Sequence, residues 1–171
     1  GITPAEVSGV ATFYTMFKRR QMGDFHVGVC INTLCAVLGG DEIWDAVSTH
    51  LGVGHDETAP RRAGDVATVS LERIECNAAC DYAPVATVNW EFMDRQTPES
   101  MVQLVDDLRA GREVVSTRGP RLVTWRAAER VIAGFDDGLT DEGPSAGPAS
   151  LRGREIARAQ GWSVPEGGGT A

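Results

Sequence analysis

Four cysteines are the residues in this chain whose type and spacing can do chemistry. They form two close pairs, Cys30 with Cys35 and Cys76 with Cys80, with the spacings C-x4-C and C-x3-C. Two short loops that converge would gather four thiolates around one object, most simply a metal centre. A disulfide framework suits short secreted chains, whereas this chain has 171 residues and only four cysteines.

Two kinds of metal centre compete for these thiolates. Structural zinc commonly uses C-x2-C knuckles, and neither pair has that spacing. A [2Fe–2S] cluster takes two thiolates on each of its two irons, and C-x4-C is a known ferredoxin spacing. The residues therefore favour an iron–sulfur cluster, while zinc and inert or redox-active thiols stay open alternatives.

The flanking residues predict how the first pair is positioned. Residues 25–29 alternate and predict a strand, so Cys30 lies at the strand's carboxyl end, where a loop can present it. Cys35 is predicted in that loop. Residues 41–51 then predict a helix, and an N terminus close to the loop would favour thiolates.

Three stretches resemble one known family, the E subunit of NADH-quinone oxidoreductase (respiratory complex I). They are residues 7–14 (VSGVATFY), 29–35 (VCINTLC) and 75–84 (ECNAACDYAP), and the resemblance extends over residues 2–109. It implies a thioredoxin-like α/β fold and a [2Fe–2S] cluster held by Cys30, Cys35, Cys76 and Cys80. Asn77 and Ala78 stand where the family commonly has Leu-Gly, and we expect Asn77 to accommodate unusual backbone angles there.

The resemblance also implies a function. The chain would be an electron-transfer subunit of the NADH dehydrogenase module, exchanging electrons with FMN during NADH oxidation and quinone reduction. FMN and NADH would bind the F subunit of that complex, with its iron–sulfur G subunit close by. On this chain no G-x-G-x-x-G loop and no nucleophile–base arrangement indicates a complete active site. The alternatives are a diaphorase subunit of an NAD-linked hydrogenase or formate dehydrogenase, and a non-redox zinc-binding interaction module.

Further patterns predict the rest of the domain. Residues 66–74 and 85–90 predict strands, with a change of phase near Glu72 that indicates a bulge or the strand's end. A helix begins after Thr97, so the order from residue 24 is strand, helix, strand, strand, helix. That order is compatible with the thioredoxin-like fold, with both cysteine loops at one edge of the sheet, although it does not select this fold over other α+β sheets.

The two ends of the chain are predicted to differ from this domain. The resemblance implies that residues 1–23 form a helix left over from a helical bundle, and we expect its apolar residues to be mainly core. Residues 24–113 are the [2Fe–2S] domain. Residues 114–171 are an extended tail with Trp125 and Trp162 but little core of its own, so we expect it to wrap a partner.

Charge and hydropathy limit the remaining partners. A net charge of −8 with a single lysine argues against nucleic acid, and the cluster Lys18-Arg19-Arg20 is expected on the solvated surface. No stretch is long and apolar enough to span a membrane and none is typical of an export signal. The resemblance to a complex I subunit implies a peripheral part of a membrane complex, and the absence of an export signal favours its cytoplasmic side. His26 and His50 are expected outward-facing and not metal ligands.

Overall fold

A mixed five-stranded sheet forms the centre of the chain. A computed structural model describes residues 1–119, 121–138, 142–143 and 146–163. Its strands are β1 Phe25–Cys30, β2 Glu57–Thr58, β3 Val69–Ile74, β4 Ala86–Val88 and β5 Glu91–Met93. They lie in the order β2-β3-β1-β4-β5, with β1 and β3 parallel and the other neighbours antiparallel. Strands β1, β3 and β4 agree with the sequence prediction, whereas β2 and β5, with two and three residues, were not predicted.

Helices flank the sheet and extend beyond it. They are α1 Pro4–Phe13, α2 Thr33–Val37, α3 Gly40–Leu51, α4 Pro98–Arg109, α5 Trp125–Ile132 and α6 Pro148–Ala159, with a 3-10 turn at Cys80–Tyr82. Pro98 follows the capping residue Thr97, whose side chain accepts a hydrogen bond from the Ser100 N–H. Among the described helices, none combines the length and the apolar character needed to cross a membrane.

The main core lies between one face of the sheet and the helices α3 and α4. Alternate residues of the strands, such as Val27, Val29 and Leu71, point to this side and are fully buried. Ile43 and Leu108 pack against them from α3 and α4. The apolar spacing that predicts both helices is therefore the spacing that buries them.

The opposite face of the sheet carries buried polar side chains. His26 is completely buried, and its Nε2 lies 2.6 Å from Oε2 of Glu72. Lys18 Nζ lies 2.5 Å from the same oxygen, and its side chain is only 10% exposed. The predictions of an outward-facing His26 and a solvated Lys18 are therefore wrong, because distant parts of the chain cover this face.

The change of phase in β3 reflects this second face. Ile74 points to the same side as Ser70 and Glu72, and the pairing of β1 with β3 is continuous up to Cys30 opposite Ile74. Of the two alternatives predicted near Glu72, a bulge is therefore absent from β3, and the strand ends two residues later at Ile74. Ile74 belongs to a second, smaller apolar cluster with Cys30 and Cys35.

Helix α1 lies apart from both clusters. A capping box between Thr3 and Glu6 begins the helix, but α1 buries none of its residues. Phe13 is 79% exposed, and Tyr14 and Phe17 are also exposed. The expectation that these aromatic residues are mainly core is wrong for the described chain.

The first part of the predicted tail packs back onto the domain. Thr117 N donates to Phe92 O at 2.9 Å, and Asn89 Nδ2 donates to Val123 O at 2.6 Å. Trp125 is buried, with its ring 5.2 Å from that of His26. Residues 164–171 of the tail lie outside the described residues, and the wrapping of a partner by the remainder stays a prediction.

Candidate metal centre

All four cysteines line one small pocket at the carboxyl end of the central strand β1. Cys30 and Cys35 are buried on its inner side, whereas Cys76 and Cys80 are exposed on its outer side. The pocket is completed by Asn77, Ala79 and Val85. The structure thus brings together every residue that the sequence predicts for the site.

The first pair is fixed by the end of a central strand and a short helix. Cys30 is the last residue of β1, as predicted, and its N–H donates to Val85 O at 3.1 Å. Cys35 lies in α2, not in a loop, because residues 33–37 close one helical turn. Asn32 precedes this helix, and its Nδ2 donates to Glu75 Oε2 at 2.7 Å, which ties the first cysteine loop to the second.

Gly40 lets helix α3 pack directly against the first pair. A Cβ at this position would lie 2.7 Å from Cys30 O and 2.9 Å from Cys35 O. Since real Cβ atoms do not approach other atoms so closely, only glycine fits here without a shift of the backbone. The start of α3 is therefore packed closely against the carbonyls of both cysteines.

The second pair has the separation that one tetrahedral metal ion requires. The sulfurs of Cys76 and Cys80 are 3.6 Å apart, far beyond a disulfide bond of about 2.05 Å. A metal–sulfur bond of about 2.3 Å and a tetrahedral angle would separate two thiolates by about 3.8 Å. This pair therefore fits two thiolate ligands of one iron.

The residue with unusual backbone angles in this loop is Ala78. Its φ is 55°, in the left-handed region, and its N–H donates to Cys76 Sγ at 3.3 Å. The expectation that Asn77 would take up such angles is therefore wrong. Alanine in this conformation costs about 1 kcal/mol, which explains why glycine suits the position in the resembling family.

Burial and mutual repulsion make this pocket unfavourable for free thiolates. Burial first, and then the neighbouring Cys35 and Cys76, raise the pKa of Cys30 to about 11 against a hydrogen bond from the Asn32 N–H. The pKa of Cys80 is also raised, chiefly by its contact with Cys76. A strong positive charge would offset both effects and favour the ionised form of these thiols, so the donor set fits bound iron.

Two pairs of thiols in one pocket match a [2Fe–2S] cluster, which takes two thiolates on each of its two irons. Within the part of the chain that the structure describes, no group of three or more His, Cys, Asp or Glu side chains is close enough to hold one metal ion.

Gly40 was not predicted as part of the site, nor were Arg118, Ala149 and Ser150, which contact Asp81 and Tyr82 next to Cys80. The pair Gly39-Gly40 before a helix is a local signal for a close approach. The partners of Asp81 and Tyr82 lie far away in the chain, so nothing local indicates them.

Comparison with protein-family models identifies the family of this chain. The model of the thioredoxin-like [2Fe-2S] ferredoxins matches residues 1–109, which include all four cysteines. The chain belongs to this family. Its α/β fold and its [2Fe–2S] cofactor, both predicted from the sequence, are thereby confirmed.

Named relatives of this ferredoxin are subunits of larger complexes. It is 52% identical over 166 residues to the E subunit of NADH-quinone oxidoreductase from Mycobacterium bovis, a match that covers 96% of this chain and 64% of the relative. It is 35% identical over 115 residues to NADH-quinone oxidoreductase subunit 2 of Thermus thermophilus, covering 67% of this chain and 61% of that one. The ferredoxin thus spans less than two thirds of these curated relatives.

A solved structure shares the fold. The NAD+-reducing [NiFe]-hydrogenase in its air-oxidized state superposes on 64% of this chain and 18% of its own, with a TM-score of 0.54 and 18% identity. At this identity the likeness concerns the fold alone.

Proposed function

We propose that Cys30, Cys35, Cys76 and Cys80 are the four ligands of the [2Fe–2S] cluster. Each cysteine loop supplies one pair, so Cys76 and Cys80 bind one iron and Cys30 and Cys35 the other. The observation that carries this proposal is the convergence of all four thiols on one pocket in a member of this family. A cluster held in this way supplies one-electron oxidation and reduction.

We infer that the protein is the electron-transfer subunit of the NADH dehydrogenase module of respiratory complex I. It would exchange electrons with FMN in a partner subunit while NADH is oxidised and quinone is reduced. The 52% identity to an E subunit over 96% of the chain supports this role. The flavin- and NADH-binding F subunit and the iron–sulfur G subunit of complex I are the proposed partners, on the cytoplasmic side of the membrane.

The second candidate is a diaphorase subunit of an NAD-linked hydrogenase or formate dehydrogenase. A chain of the NAD+-reducing hydrogenase has the same fold, so this fold is compatible with such a subunit. Affinity purification of the tagged chain from its own cells separates the candidates. A flavin-containing partner accompanied by quinone reductase activity supports complex I, whereas accompanying hydrogenase or formate dehydrogenase activity supports the alternative.

Replacement of one ligand tests the cluster assignment. We expect the anaerobically purified protein to contain two irons and two sulfides per chain and to bleach with dithionite. Cys76→Ser should lose most of its visible absorbance and keep its far-UV circular dichroism, because the exposed loop is not part of the core. Asn77→Ser, in the same loop, is the matched control and should stay coloured. A colourless wild-type chain with one zinc, or a fully coloured Cys76→Ser variant, would contradict the proposal.

A further inference from the structure

The turn that carries Cys80 is held by residues that lie beyond the family match. Asp81, the middle residue of the turn Cys80–Tyr82, accepts a hydrogen bond from Ser150 Oγ in the first turn of α6. It also accepts one from Arg118 Nη2 at 3.3 Å. Both donors come at least 37 positions later in the chain and lie beyond residue 109, where the family model ends.

The side chain of Tyr82 is fixed from two directions. Its Oη accepts a hydrogen bond from Ala149 N at 3.1 Å. The guanidinium groups of Arg95 and Arg118 lie 4.9 Å and 5.1 Å from the centre of its ring. Arg118 is itself held by Asp94 through two hydrogen bonds of 2.8 Å and 2.9 Å, so its position is well defined.

Gly147 allows the backbone of this later segment to reach Tyr82. A Cβ on Gly147 would lie 2.3 Å from Tyr82 Oη and 3.1 Å from its Cζ. By contrast, a Cβ on Gly153, two turns further along α6, would meet nothing within 4 Å. The contact therefore depends on the absence of a side chain at one glycine and not at the other.

We propose that Arg118 and residues 147–150, here called the strap, position Cys80 and retard the loss of the cluster. The inference rests on the proposed role of Cys80 as a ligand. Cys76 and Cys80 are the exposed pair, so opening of their loop is the step that would expose an iron to solvent. The strap is attached at the carboxyl end of this loop and opposes that opening.

Two glycine substitutions in the full-length, cluster-loaded chain test the strap. Gly147→Ala places a methyl group against Tyr82, whereas Gly153→Ala is the matched control on the same helix. With an excess of an iron chelator, we expect Gly147→Ala to lose its visible absorbance about fivefold faster than wild type, the factor for one lost hydrogen bond. Gly153→Ala should lose it at the wild-type rate. Tyr82→Phe, which removes only the acceptor, should shift the rate in the same direction as Gly147→Ala.

Hydrogen exchange of the cluster-free chain gives a second readout that needs no iron. Peptides covering residues 79–83 should exchange faster in Gly147→Ala than in Gly153→Ala, while peptides of α4 are unchanged and show that the fold is retained. Equal chelation and exchange rates in both variants would overturn the strap. A colourless wild-type chain would overturn the ligand assignment and the link to cluster loss, whereas a difference in exchange would still support the hold on the turn.

Discussion

Glu72 shows how one side chain connects the buried polar face to stability. Burial alone would raise its pKa, but hydrogen bonds from His26 and Lys18 outweigh burial and lower the pKa from 4.5 to about 2. Its side chain is 10% exposed, so solvent screens these interactions little. The ionised form is therefore the form that the fold stabilises.

This lowered pKa predicts a stability that depends on pH. The ionised Glu72 stabilises the fold fully above pH 4.5, and this stabilisation is lost as the pH falls toward 2. It amounts to about 3 kcal/mol, so Glu72→Gln should lower the free energy of unfolding by about that amount at pH 7. Urea denaturation of both proteins, in the same cluster state, should show this difference shrinking between pH 5 and pH 2.5.

An exposed carboxylate on α3 provides the control. Asp45→Asn should change the free energy of unfolding by less than about 0.5 kcal/mol. A difference between wild type and Glu72→Gln that stays constant across the whole pH range would contradict the role given to Glu72.

At the scale of elements, the close approach of α3 to the first cysteine pair makes Gly40 sensitive. Gly40→Ala would force its methyl group against the carbonyls of Cys30 and Cys35. We expect the variant to lower the free energy of unfolding by about 2 kcal/mol and to bind less iron per chain. Gly9→Ala in α1, where an added Cβ meets nothing within 4 Å, should leave both unchanged. Normal stability and iron content in Gly40→Ala would show that α3 does not position the pair.

Elements with strong local patterns could be predicted from the sequence, and the others could not. The strand that ends at Cys30 and the helix capped by Thr97 both have a period or a capping residue. Helix α2 has five residues and β2 has two, so neither shows a period. His26 was misplaced for a different reason, because Trp125 covers it from 99 positions away. The four cysteines could be assigned to one site because family motifs surround them. The strap could not be predicted, because it is formed by contacts between residues far apart in the chain.

At the scale of the whole molecule, the domain includes part of the chain beyond the family match. Trp125 is 7% exposed and packs against His26 and Trp90, while Trp162 is 69% exposed. The contacts of residues 114–125 therefore extend the second face of the sheet. The division at residue 113 stays a prediction, as does the helix-bundle origin of residues 1–23.

The two tryptophans provide a matched pair for testing this extension. Trp125→Ala should lower the free energy of unfolding by about 3 kcal/mol, because it removes a large buried ring and leaves a cavity over His26. Trp162→Ala should change it by less than about 0.5 kcal/mol. Urea denaturation followed by far-UV circular dichroism measures both. If Trp125→Ala lowered the free energy of unfolding as little as Trp162→Ala, Trp125 would lie outside the unit that unfolds cooperatively.

The unequal exposure of the two cysteine pairs has a consequence for handling the protein. The sulfurs of Cys76 and Cys80 lie 3.6 Å apart at the surface, so in the iron-free chain they need to come only about 1.5 Å closer to be oxidised to a covalent cross-link. Air-exposed, iron-free stocks should therefore become unable to regain colour on reconstitution. A thiol reductant should preserve that ability, because it keeps Cys76 and Cys80 reduced. The buried pair, Cys30 and Cys35, is already protected from most oxidants.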